Sequence, residues 1–208
     1  MKISYAILVC NEYKEFKFLV DLLLKSIQSN DEIVIVQDQG NTTRDIIDLC
    51  FEYTSTSDQI KVYENPLNRD FAHQKNFLNS KCSGDYIFNI DSDEYINEYF
   101  PDIIKDFLTQ YSDIDLFYLP RINIVNGITE DYIKKMRWQI DLNGYINYPD
   151  YQARLYKNTD KIKWQGAVHE TIVGFDKYSK LPSDSGYELI HIKDLDKQVK
   201  QNNLYNSI

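Results

Sequence analysis

A chain of 208 residues with 43% hydrophobic content can bury one sizeable core and is too apolar to be disordered. Its formal charge of -9 excludes broad electrostatic binding to nucleic acid or an anionic membrane, since both need basic surface. Three scattered cysteines, Cys10, Cys50 and Cys82, form no CxxC pair, which points to a reducing compartment and no structural zinc. The opening "MKISYAILVCNE" holds a short apolar run that Asn11 and Glu12 end too early for a signal peptide. No stretch approaches the roughly 20 apolar residues of a membrane span. The expectation is a soluble, cytoplasmic protein.

The first half alternates strands and helices. "ISYAILV", Ile3 to Val9, reads as a buried strand. "FKFLVDLLLKSI" sets Phe16, Leu19, Val20, Leu23 and Ile27 on one helical face. "EIVIV", Glu32 to Val36, is a short run of β-branched residues after Glu32, as in a parallel strand covered on both sides. "TTRDIIDLCFEY" predicts a helix capped by Thr42 or Thr43. "IKVYEN" predicts a third strand, "DFAHQKNFLNSK" a third helix and "YIFNI" a fourth strand. "PDIIKDFLTQY" is a helix with Pro101 near its first position, and "DLFYLP" a strand that stops at Pro120.

This alternation predicts an α/β fold with a doubly wound, mainly parallel sheet flanked by helices. Ligands in such folds sit at the carboxyl ends of the strands. The loops "CNE", "QDQG", "NPLNRD" and "DSDE" all fall there and are all polar. After Pro120 short strands and turns mix, in a second half built on the same sheet. The tail "DLDKQVKQNNLYNSI" predicts a helix with Leu195, Val199 and Leu204 on one side. No repeat, linker or domain boundary interrupts the chain, so one domain is expected over 1–208.

"YIFNIDSDEY" drives an apolar strand into three carboxylates, Asp91, Asp93 and Glu94. Such a strand end is often simply a turn into solvent. Two carboxylates one residue apart can instead share a hard divalent cation and its bound diphosphate. A third reading is a phosphatase of the haloacid dehalogenase type, with Asp91 as nucleophile. Tyr95 stands where that motif wants Thr or Val, and the motif strand comes fourth here instead of first.

The stretches "AILVCNEYKEF", "EIVIVQDQG", "NPLNRDFAHQKNFLNSKCSGDYIFNIDSDE" and "YPDYQARLYK…IKWQGAVHE" resemble a family 2 glycosyltransferase of the GT-A fold. The closest flavour is the subgroup that builds lipopolysaccharide cores and other surface glycans. The likeness runs from Ile3 to about Tyr205. It implies one Rossmann-like GT-A domain, with residues 1–100 binding the nucleotide and 101–208 serving acceptor and catalysis. It implies inverting transfer of a sugar from a nucleotide-diphosphate donor, a UDP-sugar, to a glycan or other hydroxyl acceptor. Mn2+ or Mg2+ is the expected cofactor. A non-catalytic glycan-binding module of the same fold is the remaining alternative.

Residue by residue, the resemblance assigns Cys10, Asn11 and Glu12 to the base and ribose loop. Asp38 falls on the second Asp of the usual "DDGS", here flanked by Gln37 and Gln39. Lys75 stands where relatives carry Arg and faces either a phosphate or the helix surface. Asp91, Ser92 and Asp93 match the metal and ribose motif, with Asp93 the direct metal ligand and His191 a late third ligand. The base that takes the acceptor proton is Glu170 first, with Asp150 as the alternative. His169, Arg154 and Trp164 are candidate substrate contacts. Each has an ordinary structural role open to it as well: a bonded histidine, a carboxylate partner and core packing.

Overall fold

The computed structural model describes residues 1–199. The first half contains β1 (Ile3–Val9), α1 (Tyr13–Ser26), β2 (Glu32–Asp38), α2 (Arg44–Thr56), β3 (Ile60–Asn65), α3 (Phe71–Asn79) and β4 (Tyr86–Asp91). β2 is buried at every position, which is why its sequence shows no apolar–polar alternation. α1 turns Phe16, Leu19, Val20 and Leu23 inward, the stripe its spacing encodes. Thr43 precedes α2 without a side-chain capping bond. Asp70 caps α3 by accepting from the His73 amide at 2.8 Å.

The second half adds β5 (Glu94–Tyr95), α4 (Phe100–Gln110), β6 (Leu116–Asn126), α5 (Glu130–Met136), β7 (Asp150–Lys157), β8 (Lys163–Gln165), β9 (Thr171–Val173), β10 (Tyr178–Lys180) and β11 (Leu189–Asp194). The main sheet has nine strands in the order β3-β2-β1-β4-β7-β6-β11-β5, with β10 also on β6; β8 and β9 form a separate pair. Strands β3-β2-β1-β4 run parallel, as do β10 and β11 against β6. β7 is antiparallel to both β4 and β6, and β5 to β11, so the sheet is mixed. One face packs α1, α2 and α4 through Phe16, Ile46, Phe100 and their neighbours. The other is covered by α3 and the β8–β9 pair, with Leu78, Tyr156 and Trp164 at its centre.

The sixth strand corrects one expectation. It does not stop at Pro120 but continues to Asn126. The Tyr118 carbonyl accepts from the Leu181 amide at 2.9 Å, so it points away from β7. Two residues on, the Pro120 nitrogen lies on that same side. There the outer partner changes from β10, paired as far as Tyr118, to β11, paired from Arg121. The missing N–H falls in a gap and breaks no ladder bond. The extension matters because Arg121 and Asn123 lie on it.

At the amino ends of the strands, the buried carboxylate of Glu32 gathers donors from neighbouring strands and the loop before β4. Glu32 accepts from Lys2 and Lys61 ammonium groups at 2.9 and 2.7 Å, from Ser4 Oγ at 2.6 Å and from the Ser83 amide at 2.6 Å. Burial alone would raise its carboxyl, but these donors hold it well below the usual carboxylate range. Near the other terminus, β11 runs through Asp194, and a short helical stretch follows from Leu195 to Val199. Leu204, the third apolar position of the expected tail helix, lies outside the described residues. Among the described residues no helix is long and apolar enough to cross a membrane.

Candidate active site

The carboxyl ends of β1, β2 and β4 open into a cleft of about 980 Å³, and every candidate residue named from the sequence lines it. At one end, Glu12 Oε2 accepts from the amides of Cys10 and Asn11 at 3.3 and 3.1 Å, and from Ser92 Oγ at 3.3 Å. The β1 loop is thereby tied to the β4 loop. Asp38 is buried, with Oδ1 taking the Leu67 amide at 2.9 Å and Oδ2 taking Asn41 Nδ2 at 3.0 Å. With both oxygens bonded to protein donors, it shapes the cleft wall. Burial, then Glu12 and Asp38, push the Cys10 thiol up, so it stays uncharged.

Beneath the cleft runs a chain of alternating charges. Arg154 Nη2 lies 2.5 Å from Asp91 Oδ2 and 2.9 Å from Glu94 Oε1. Arg121 Nη1 reaches the same Glu94 oxygen at 2.9 Å, while its Nη2 and Nε donate to Asp150 Oδ2 at 2.7 and 3.0 Å. Glu94 has no exposed side-chain surface. Burial would raise the Asp91 carboxyl, but Arg154 and then Lys75 outweigh it and hold it at about 2. Asp150 is likewise held low: Arg121 and Asn123 overcome its burial. Asn123 Nδ2 at 2.8 Å and Gln152 Nε2 at 2.8 Å complete its donors, so both its oxygens are occupied. Paired this tightly with Arg154, Asp91 is poorly placed to act as a free nucleophile of the phosphatase type.

Asp93 faces His191 across the cleft floor, Oδ2 to Nε2 at 3.6 Å. Asn123 fixes the imidazole. Its amide nitrogen is on Asp150, so its oxygen, 2.9 Å from His191 Nδ1, must accept. Nδ1 therefore carries the proton, and in the neutral ring Nε2 presents a lone pair towards Asp93. Two electron-pair donors facing each other could hold one side of a cation. Lys193 and Lys197 ammonium groups approach the same Asp93 oxygen at 3.3 and 3.6 Å. Burial would raise the Asp93 carboxyl, but a protonated His191 and the Lys193 and Lys197 ammonium groups outweigh it and hold it far below its ordinary value. Among the described residues no three His, Cys, Asp or Glu side chains form a ready-made metal cage. The donor set fits a cation that draws its remaining ligands from phosphate oxygens and water.

Across the cleft, Lys75 is buried on α3 and pairs with Glu170 Oε1 at 2.6 Å, its ammonium 4.2 Å from the Trp164 ring centre. The Lys75 ammonium thus occupies Glu170 Oε1. Trp164 is only 6% exposed; its backbone exchanges two hydrogen bonds with the Asn76 side chain, and Nε1 donates to Tyr156 Oη at 2.9 Å. Its core role is therefore plain, although it also lines the cleft. The loop carrying Glu170 bends through Gly166 at φ +100° and His169 at φ 56°, the latter a strained value for a residue with a side chain.

Sequence reasoning missed Arg121, Asn123, Gln152, Lys193 and Lys197. A signal existed for the first two: once the strand is carried past Pro120, Arg121 and Asn123 share a face at period two. Glu94 was visible as the third carboxylate of "DSDE", without a role.

Comparison with curated proteins gave no match. Among solved structures, TarS 1-349 of S. aureus in complex with UDP-GlcNAc superposes with a TM-score of 0.66 at 18% identity, covering 93% of this chain and 59% of that one. The same fragment with UDP gives 0.66, 18%, 92% and 60%. The fold is thus shared with a GT-A protein, and the chain spans about 60% of the TarS fragment. The family model described as glycosyl transferase family 2 matches residues 4–175, most of the chain, so this protein belongs to glycosyl transferase family 2.

Proposed function

We infer that the chain transfers a sugar from a nucleotide-diphosphate donor, of the UDP-sugar type, to a hydroxyl acceptor with inversion at the anomeric carbon. The observation that carries this reading is the Asp93–His191 edge at the end of β4, in the same cleft as the Cys10–Glu12 and Asp38 loops. The TarS structures bound to UDP-GlcNAc and UDP support a uridine donor for a chain of this fold.

In this reading the nucleoside lies against the Cys10–Glu12 loop and Asp38, and the diphosphate towards Asp93 and His191. A divalent cation, Mn2+ or Mg2+, held by Asp93 and His191 would neutralise charge on the leaving diphosphate. Lys193 and Lys197 add fixed positive charge at the same end. The acceptor oxygen bonds to the anomeric carbon as the bond from that carbon to the diphosphate oxygen breaks. Glu170 takes the acceptor proton: it has one ion-pair partner, whereas both oxygens of Asp150 are filled by donors. Asp150 and its arginine instead shape the acceptor side. The free cysteines suit work in a reducing cytoplasm.

The experiment is UDP release from a panel of UDP-sugars by the wild-type chain, Glu170→Gln and Asp150→Asn. Metal-stimulated release that Glu170→Gln abolishes supports the reading. Release equal in both variants and wild type removes Glu170 from the chemistry. Binding of UDP-sugars without any release would make the chain a non-catalytic module.

A further inference from the structure

Beyond Asp150 the cleft continues along a wall of Ile124, Val125, Trp138, Ile146 and Asn147. Nothing in the donor reading uses this wall. We propose that it is the acceptor subsite and that it takes a neutral pyranose ring, stacked on Trp138. The inference rests on the glycosyltransferase reading and adds the substrate class to it.

Three observations support it. First, the two tryptophans differ in kind. Trp164 is buried, bonded at Nε1 and covered by Lys75, whereas Trp138 is half-buried and lines the open cleft. Second, Trp138 is braced. Its amide donates to the Ile133 carbonyl at 3.1 Å, and Tyr132 meets its ring at 71° with centroids 5.6 Å apart. The following hairpin is closed by Asn147, whose amide donates to the Gln139 carbonyl at 2.8 Å and whose Oδ1 accepts from the Gln139 amide at 2.9 Å. A fixed aromatic face loses little entropy on binding.

Third, the wall is joined to the reacting groups by one residue. The Asn123 carbonyl accepts from the Ile146 amide at 3.0 Å, while its side chain holds Asp150 and His191. A flat apolar face beside amides and a carboxylate matches the chemistry of a sugar ring, which has C–H faces and a rim of hydroxyls. A phosphate-bearing acceptor is a worse match. Of the cations beside this wall, Arg121 already gives Nε, Nη1 and Nη2 to Asp150 and Glu94, and Lys193, in register with Val125, is turned to Asp93 at 3.3 Å.

The test uses the full chain with UDP and Mn2+, and methyl hexopyranosides as probes, with glycerol and glycerol 3-phosphate as open-chain counterparts. Saturation-transfer NMR and tryptophan fluorescence report binding. The expected result is pyranoside binding that Trp138→Ala weakens by about tenfold or more and Trp138→Phe by less than about threefold. Equal pyranoside affinity in Trp138→Ala, preference for glycerol 3-phosphate, or no pyranoside binding would each overturn the proposal. UDP titration of the same samples separates the two claims. Pyranoside binding without UDP binding sinks the donor reading alone, and the reverse sinks only the acceptor subsite.

Discussion

Glu94 Oε1 and Arg154 Nη2 lie 2.9 Å apart with the carboxylate fully buried, and the same arginine holds Asp91 at 2.5 Å. Glu94 therefore compensates the charge of a residue whose other partner, Asp91, lines the cleft. Removing it leaves Arg154 and Arg121 short of one buried counter-ion. Glu94→Gln should destabilise the chain by about 3–5 kcal/mol in urea unfolding, the range for breaking a buried pair from one side. A loss under 1 kcal/mol would mean that the arginines find water instead.

The same network sets an acid limit. Asp91, Asp93, Asp150 and Glu32 all have folded carboxyls below their ordinary values. A group depressed in the folded state stabilises above its unfolded pKa, and that stability is lost as pH falls through the folded value. Stability should be level near neutrality and fall steadily below about pH 5, where unfolded carboxylates begin to take up protons. Glu32→Gln should flatten that fall, read as a shallower dependence of the unfolding midpoint on pH. An unchanged slope would deny Glu32 its share.

Glu170→Gln should lower kcat by about 100-fold or more, the usual scale of a lost general base, with UDP affinity retained. Asp150→Asn keeps the shape but weakens the Arg121 pairing, so its main effect should fall on the KM for acceptor. Steady-state kinetics on both variants decide: the reverse pattern would exchange the two roles.

Much of this was readable in the chain because burial and periodicity agree in the first half. β2 is apolar because both faces are covered, and α1 shows its stripe because only one face is. The second half hides its logic. Pro120 reads as a stop, yet its nitrogen meets a gap between two outer strands. Arg121 and Asn123 were lost with it. Their importance comes from Glu94 and Asp150, partners about 27 residues away on either side that no local pattern links. The lysines beside Asp93 were equally hidden, since charged side chains on β11 and on the helical stretch after it read as solvated.

Fixing His191 through Asn123 predicts a measurable cation preference. Asn123→Ala frees the imidazole from its Nδ1 partner, and outer-shell partners of this kind are worth about 10- to 100-fold in metal affinity. Electron paramagnetic resonance titration of Mn2+ in the presence of UDP should show that loss, with folding unchanged by circular dichroism. Equal Mn2+ affinity would detach His191 from the cation.

The central claim is a cation-assisted nucleoside diphosphate site at the end of β4. Calorimetric titration of UDP into the protein, with Mn2+ and then with chelator, repeated on Asp93→Ala, tests it most directly. The account predicts binding that needs both the metal and Asp93. UDP binding unchanged by chelator and by Asp93→Ala would contradict the cation site, and no binding of UDP under any metal would contradict the uridine donor.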